Sequence, residues 1–330
     1  MTRNVVAIAA LGLLTAGGLA QVAAAPAIDS IDQTAGASQM AVRLQPPGPT
    51  IGGCQVFPGN NAWNTDISGF PLNVRSAQII AKIQAIGSDN LHPDFGENPL
   101  YGIPYVIVPP SQALVPISYT AYGDESDPGP FPIPLNAPVE GGSASGGDRH
   151  VLVVRQGSCD LFELYVSRRV GAGWSADSGA KWNLTTGALR PIGWTSADAA
   201  GLPILPGLVR YDEVASGVIR HAIRVTFQQS QRGFILPATH FASNDSNVAL
   251  PAMGLRLRLK ASFDISALTG QSRVIAEAMK RYGLIVADNG SNWYFQGAPD
   301  PGWNDDDLEQ LKAIPGTAFE VVDSGPVRTS

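Results

Sequence analysis

Apolar residues recur at helical spacing in few segments of this chain. Ser76 to Ile86 carries Ile79, Ile80, Ile83 and Ile86 with Gly87 as a stop, and Ser272 to Tyr282 carries Val274, Ile275 and Ala278 with Gly283 behind it. That spacing with a trailing glycine predicts a helix in each. A third, short helix is expected from Asn304 or Asp305, where Asp306 and Asp307 suit the positive end of a helix dipole.

Elsewhere the pattern is one of short β-branched and apolar runs between turn residues. It predicts strands over Tyr105 to Val108, His150 to Arg155, Leu161 to Ser167, Gly217 to Phe227, Phe234 to Pro237, Gly254 to Leu259, Leu284 to Ala287 and Asn292 to Gln296. Asp288-Asn289-Gly290 is expected to turn a hairpin between the last two, because Asn-Gly tolerates the positive φ of a tight turn. The helices do not alternate with strands, which argues against a doubly wound parallel sheet. No repeat of 20 to 50 residues points to a propeller or solenoid. The expected fold is mainly β, a single-domain β-sandwich of jelly-roll type with a few peripheral helices.

The ends of the pattern differ from its middle. Arg3, an apolar run from Val5 to Leu19 and the small residues Val22-Ala23-Ala24 read as a secretory signal peptide over residues 1–24. Its apolar run is shorter than the ~20 residues a membrane span needs, and no later segment supplies one. Residues 25–53, rich in Ala, Ser, Gln, Gly and Pro, read as a flexible leader, and residues 54–325 as one β-rich domain. Export to an extracellular or periplasmic compartment follows. The two cysteines, Cys54 and Cys159, are then expected to be bonded, closing a loop of roughly 100 residues.

The formal net charge is −6 and no basic stripe interrupts it, so nucleic acid is not expected as a partner. No phosphate loop or nucleophile elbow is present, and the one metal-like spacing is Asp148-Arg149-His150; neither a cofactor nor a metal is expected, with zinc gathered by His150, His221 and His240 as the alternative. The densest polar block runs from Leu189 to Phe227. It holds Trp194, Asp198, Arg210, Tyr211, Asp212, Glu213, His221 and Arg224. His92, His150, His221 and His240 are the only histidines. In an extended strand His221 would share a face with Ile219 and Ile223, while Arg220 and Arg224 would face the other way, spaced to grip an anion or to pair with Asp212 or Glu213. Trp174, Trp182, Trp194, Trp293 and Trp303 lie in or beside predicted loops, where exposed indoles would stack on sugar rings.

At Arg149-His150, Gly193 to Pro203, Pro206 to Glu213, His221 to Arg224 and Asp288 to Ser291, the chain resembles a largely uncharacterised group of secreted bacterial and fungal proteins, with the likeness running from Cys54 to Val322. The resemblance implies no activity. In style, as an exported β-rich chain with loop tryptophans, it is also loosely similar to jelly-roll polysaccharide lyases and glycosidases, a likeness that does not establish function.

These features lead to the expectation of a secreted enzyme acting on an extracellular polysaccharide. Glycoside hydrolysis would pair Asp212 or Glu213 with Glu163 or Asp198 as acid and base. Polysaccharide elimination, with His221 or His150 as base, Tyr211 as acid and Arg210 or Arg224 neutralising a uronate, is the second enzymatic reading. His150, Trp194, Arg210, Tyr211, Arg224 and His240 are the expected substrate-binding residues. A non-catalytic carbohydrate-binding or envelope protein is the rival from another class.

Overall fold

The structure is a computed structural model, and residues 48–330 are described. The expected signal peptide and most of the expected leader lie outside the described residues. The chain is mainly sheet, with few and short helices. A six-stranded sheet has the order Phe319–Val321, Arg256–Leu259, Leu284–Asn289, Ile223–Phe227, Tyr294–Gln296, His92–Asp94. A four-stranded sheet has the order Ser178–Asn183, Asp160–Tyr165, Val151–Arg155, Tyr105–Val108. A three-stranded sheet, Ile117–Tyr119, Gly173–Ala176, Arg168–Val170, and a small hairpin of Thr50–Ile51 with Cys54–Gln55 complete the set.

Both larger sheets are mixed. Ile223–Phe227 runs parallel to Leu284–Asn289, Tyr294–Gln296 parallel to His92–Asp94, and Tyr105–Val108 parallel to Val151–Arg155. Jelly rolls are antiparallel throughout, so strand direction departs from that expectation while the β-rich character holds.

Alternation explains how the four-stranded sheet is buried on both faces. Leu152 and Val154 point into the main core, with Leu161 from the neighbouring strand. Val151 and Val153 point into a second core with Phe162, Leu164, Phe131 and Trp174. A strand covered on both sides needs a continuous apolar run, which is what Val151-Leu152-Val153-Val154 supplies. The six-stranded sheet is different. Ile223, Val225 and Phe227 enter the main core, whereas Arg224 and Thr226, on the opposite face, do not.

Helices form at Ser76–Gln84 and Gly270–Arg281, close to the expected ranges, and Ile79, Ile80 and Ile83 of the first and Ile275, Ala278 and Met279 of the second are buried. The short helix Asp305–Leu308 is capped by Asn304, whose side chain accepts from the Asp307 N–H. Cys54 and Cys159 are bonded, tying the first hairpin to the turn between Val151–Arg155 and Asp160–Tyr165. The folded part starts before Cys54, since Val56 donates to the Pro49 carbonyl at 2.7 Å. Its far end is also integrated, with Arg328 and Phe234 bonded through their backbones. No helix among the described residues is long and apolar enough to cross a membrane.

The expected hairpin at Asp288-Asn289-Gly290 does not form. Ile223–Phe227 lies between Leu284–Asn289 and Tyr294–Gln296, pairing parallel with the first and antiparallel with the second. The Asn-Gly turn therefore steps over a strand, and Gly290 donates to the Phe227 carbonyl at 3.1 Å. Extended structure at residues 217–227 is also shorter than expected, beginning at Ile223.

Candidate functional site

Where the polar face of the six-stranded sheet meets the start of Val151–Arg155, the surface opens into a cleft of about 260 Å³. Arg224 and Thr226, Tyr294 and Gln296, Asp94 and Asp288 form its sheet side. The cross-strand register places Thr226 beside Tyr294, Tyr294 beside His92 and Gln296 beside Asp94. A bulge at Ala287 shifts the register so that Thr226 faces Asp288, which brings that carboxyl to the cleft. Glu140, Asp148 and His150, in the loop that leads into Val151–Arg155, close the cleft from the other side. A second cavity of about 140 Å³, lined by Asp198, His240, Tyr165 and Ser196 among others, shares Asp288 as a wall.

His150 is buried and held from both sides. Its Nδ1 lies 2.6 Å from Glu140 Oε2 and its Nε2 lies 3.0 Å from the Ala197 carbonyl. Two acceptors on one ring suit the doubly protonated imidazolium. Burial disfavours that cation, yet the charge and hydrogen bond of Glu140 outweigh it and push the His150 pKa up to about 9. Burial likewise opposes ionisation of Glu140, but the His150 charge overrides it and holds this carboxylate below its ordinary range.

Asp288 has the opposite environment. Burial, and then the charge of Asp198, raise its pKa to about 7 against the pull of Arg224. Asp198, sealed in the interior, is also raised by burial, although Arg224 opposes the rise with Nη2 at 3.1 Å from Oδ2. Arg224 additionally donates to Gln296 Oε1 at 2.9 Å. Asp94 is raised by burial and by the neighbouring Glu140 charge. One cleft thus contains a carboxylate kept ionised and a carboxyl that titrates near neutrality.

The sequence-derived candidates divide into separate groups. His150 and Arg224 line the cleft, and Asp198 and His240 line the adjoining cavity, where His240 Nδ1 is 2.7 Å from the Ala199 carbonyl. Glu163 lies near them but is spent on two backbone N–H groups and one indole N–H. Its carboxylate accepts from Ile204 N at 3.0 Å, Leu205 N at 2.9 Å and Trp182 Nε1 at 3.2 Å, so it clamps a turn of the chain. Burial raises it, against the Leu205 and Ile204 N–H groups.

Arg210, Asp212, Glu213 and His221 form a cluster of their own and line neither cavity. Glu213 Oε2 accepts from His221 Nε2 at 3.0 Å and pairs with Arg210 Nη2 at 2.8 Å, while His221 Nδ1 is 2.8 Å from the Ala222 carbonyl. Asp212 reaches Arg210 Nε at 3.4 Å from an exposed position. No hydrogen bond or ion pair among the described residues joins this cluster to His150 or Arg224. Arg220 is exposed and Arg224 buried, so the two do not form one anion grip.

The aromatic candidates are mostly interior. Trp174, Trp182, Trp293 and Trp303 are buried, which removes them as sugar platforms. Trp194 is half-buried beneath the Arg190 guanidinium, and Tyr211 packs edge-on against Trp303. The residues missed in the sequence are Asp94, Glu140, Asp148, Asp288, Tyr294 and Gln296. The local signals were Asp148 two residues before His150, a weak metal-like spacing, and an acid at the end of the apolar run Leu284 to Ala287, which read as a turn.

Among the described residues no group of three or more His, Cys, Asp or Glu side chains is arranged to hold a metal ion. No family model matches the chain, and neither a curated protein nor a solved structure matches it.

Proposed function

We propose that the chain is a secreted carbohydrate-active hydrolase whose active site is the cleft between the two larger sheets. The observation that carries this reading is the separation of Glu140 and Asp288 in acidity within one cavity, one held ionised and the other at about 7. Environments that push two carboxyls apart assign them opposite roles. Asp288 donates its proton to the leaving glycosidic oxygen as the bond to the sugar carbon breaks, and Glu140 takes a proton from the water whose oxygen bonds to that carbon. Thr226, Asn289, Ser291 and Gln296, which line the same cleft, supply the hydrogen-bonding groups a polyhydroxylated ligand needs.

Elimination has less support, because neither histidine expected as its base is placed to act as one. His150 is held protonated with both ring nitrogens engaged, and His221 is sealed in the interior with both of its nitrogens in contact with acceptors. The disulfide suits an oxidising compartment and supports export.

The test is incubation of the protein with a panel of polysaccharides, reading new reducing ends and absorbance near 235 nm. Reducing ends produced by the wild type and lost in Asp288→Asn support hydrolysis at this cleft. Absorbance near 235 nm would replace it with elimination, and binding without cleavage would replace it with a non-catalytic carbohydrate-binding role.

A further inference from the structure

Asp148 and His150 line the cleft, but Arg149 between them does not. Its backbone sits at φ +52°, in the left-handed region, and its side chain lines a different cavity of about 550 Å³. Arg149 is 4% exposed. Its Nε donates to the Ser167 carbonyl at 2.8 Å, and its Nη1 reaches the Ser143 and Ser145 carbonyls at 3.0 and 2.8 Å and, more distantly, that of Gly142 at 3.4 Å. Every one of these partners is a neutral carbonyl, and Nη2 has no acceptor among the described residues. A buried cation ordinarily has a counter-charge, because carbonyl dipoles replace only part of the lost hydration.

The cavity adds more positive charge where a carboxylate would be expected. Arg168 and Arg169, on an exposed strand, line it as well, and Arg169 pairs across the sheet with Trp174. No salt bridge among the described residues involves Arg149, Arg168 or Arg169. Trp174, another wall residue, is buried with its indole N–H unpaired among the described residues. The burial of Arg149 and then the proximity of Arg168 disfavour the Arg149 charge, and this guanidinium has no negative partner among the described residues. In a chain of net charge −6, three guanidinium groups gathered at one cavity with no acid among them form a local inversion of the protein's field.

We propose that this cavity binds a tetrahedral oxyanion of the sulfate or phosphate type, separately from the cleft. The planar donor forks of arginine match such a group, and the anion supplies the counter-charge that Arg149 lacks. The group arrives either as the free ion or as an ester on a sugar.

Thermal melting and calorimetric titration of the whole protein with sodium sulfate, sodium phosphate and galactose 6-sulfate, each against sodium chloride at equal ionic strength, test the site. Saturable binding and a Tm rise beyond that given by chloride are expected in the wild type. Arg168→Ala/Arg169→Ala, at exposed positions, should weaken both by about tenfold or more while leaving the chloride melt unchanged. Arg149→Gln, which gives up the carbonyl bonds of this side chain along with its charge, should melt lower in chloride and lose its response to sulfate. Affinity for the sugar ester well above that for inorganic sulfate identifies the carried form, and equal affinity identifies the free ion. Responses no different from chloride, or wild-type sulfate affinity in the double variant, would overturn the proposal.

Discussion

Glu140 Oε2 sits 2.6 Å from His150 Nδ1, and the same oxygen accepts the His150 backbone N–H at 3.2 Å. One carboxylate oxygen thereby fixes both the ring and the start of the strand Val151–Arg155. The pair joins the loop before that strand to the strand itself and orients the wall of the cleft.

The linkage sign of this pair is definite. A histidine whose pKa rises from 6.5 to about 9 on folding stabilises the folded state in its charged form. That contribution is complete below pH 6.5 and is lost as pH rises through 9. It is on the order of 3 kcal/mol. We expect the His150 ring resonances in an NMR titration to keep their protonated shift through pH 8. Denaturant stability should fall between neutral pH and pH 9 to 10, and that slope should shrink in Glu140→Gln. Titration of His150 near 6.5 would remove the ion pair from this account.

Asp288 should show opposite effects on activity and stability. Its carboxyl is raised to about 7 by burial and by Asp198, so ionising it in the folded protein is unfavourable. Stability lost on this account accumulates as pH rises from about 4 to 7. Asp288→Asn should therefore melt higher than the wild type at pH 8 while losing about 100-fold or more of any hydrolytic activity. With Asp288 as the proton donor, wild-type activity should fall as pH rises through about 7. Unchanged turnover in the variant would move the acid to another residue of the cleft.

The contrast between Asp288 and Glu213 shows what the sequence could reveal. The strand pair Val151–Arg155 and Asp160–Tyr165, the helix at Gly270–Arg281 and the Cys54–Cys159 bond follow from periodicity, turn chemistry and the presence of two cysteines, all local or compositional signals. His150, Asp198 and Arg224 were visible because they are polar residues in or beside apolar runs. Asp94, Glu140 and Asp288 were not, because their meeting depends on strand order. The insertion of Ile223–Phe227 between Leu284–Asn289 and Tyr294–Gln296 puts Asp288 beside Thr226, and the parallel pairing of Tyr294–Gln296 with His92–Asp94 puts Gln296 beside Asp94. Local polar density misled in the other direction. Arg210, Glu213 and His221 are close in sequence and pair with one another as ions, forming an internal cluster away from the cleft.

The disulfide closes a loop spanning a sequence separation of 105 residues. Constraining the unfolded chain over that length is worth about 4 to 5 kcal/mol in the loop-entropy account, and measured effects are commonly nearer 2 to 5 kcal/mol. Cys54→Ser/Cys159→Ser should lower denaturant stability by that order. The Gln156 side chain, which donates to the Gly52 carbonyl at 3.0 Å, still ties the first hairpin to the same turn. The unreduced protein should also show no free thiol on alkylation, and two alkylated cysteines in native protein would contradict the bond.

His221 separates structure from chemistry most cleanly. Its ring is fully buried, with Nδ1 toward the Ala222 carbonyl and Nε2 toward Glu213, and it lines neither the cleft nor the adjoining cavity. Glutamine retains hydrogen-bonding capacity at similar size, so His221→Gln should keep near-normal activity per folded molecule with a modest loss of stability. Glu213→Ala should do more harm. It removes the closer and more buried of the two ion-pair partners of Arg210, a fully buried guanidinium, leaving only the exposed Asp212 at 3.4 Å, and breaking a buried pair costs up to about 3 to 5 kcal/mol. Glu213→Ala/Arg210→Met, which removes both charges, should recover much of that loss. Urea melts of the three variants, with activity normalised to the folded fraction, decide the matter. If His221→Gln abolishes turnover while melting like the wild type, the cluster is chemical and the active site extends beyond the cleft.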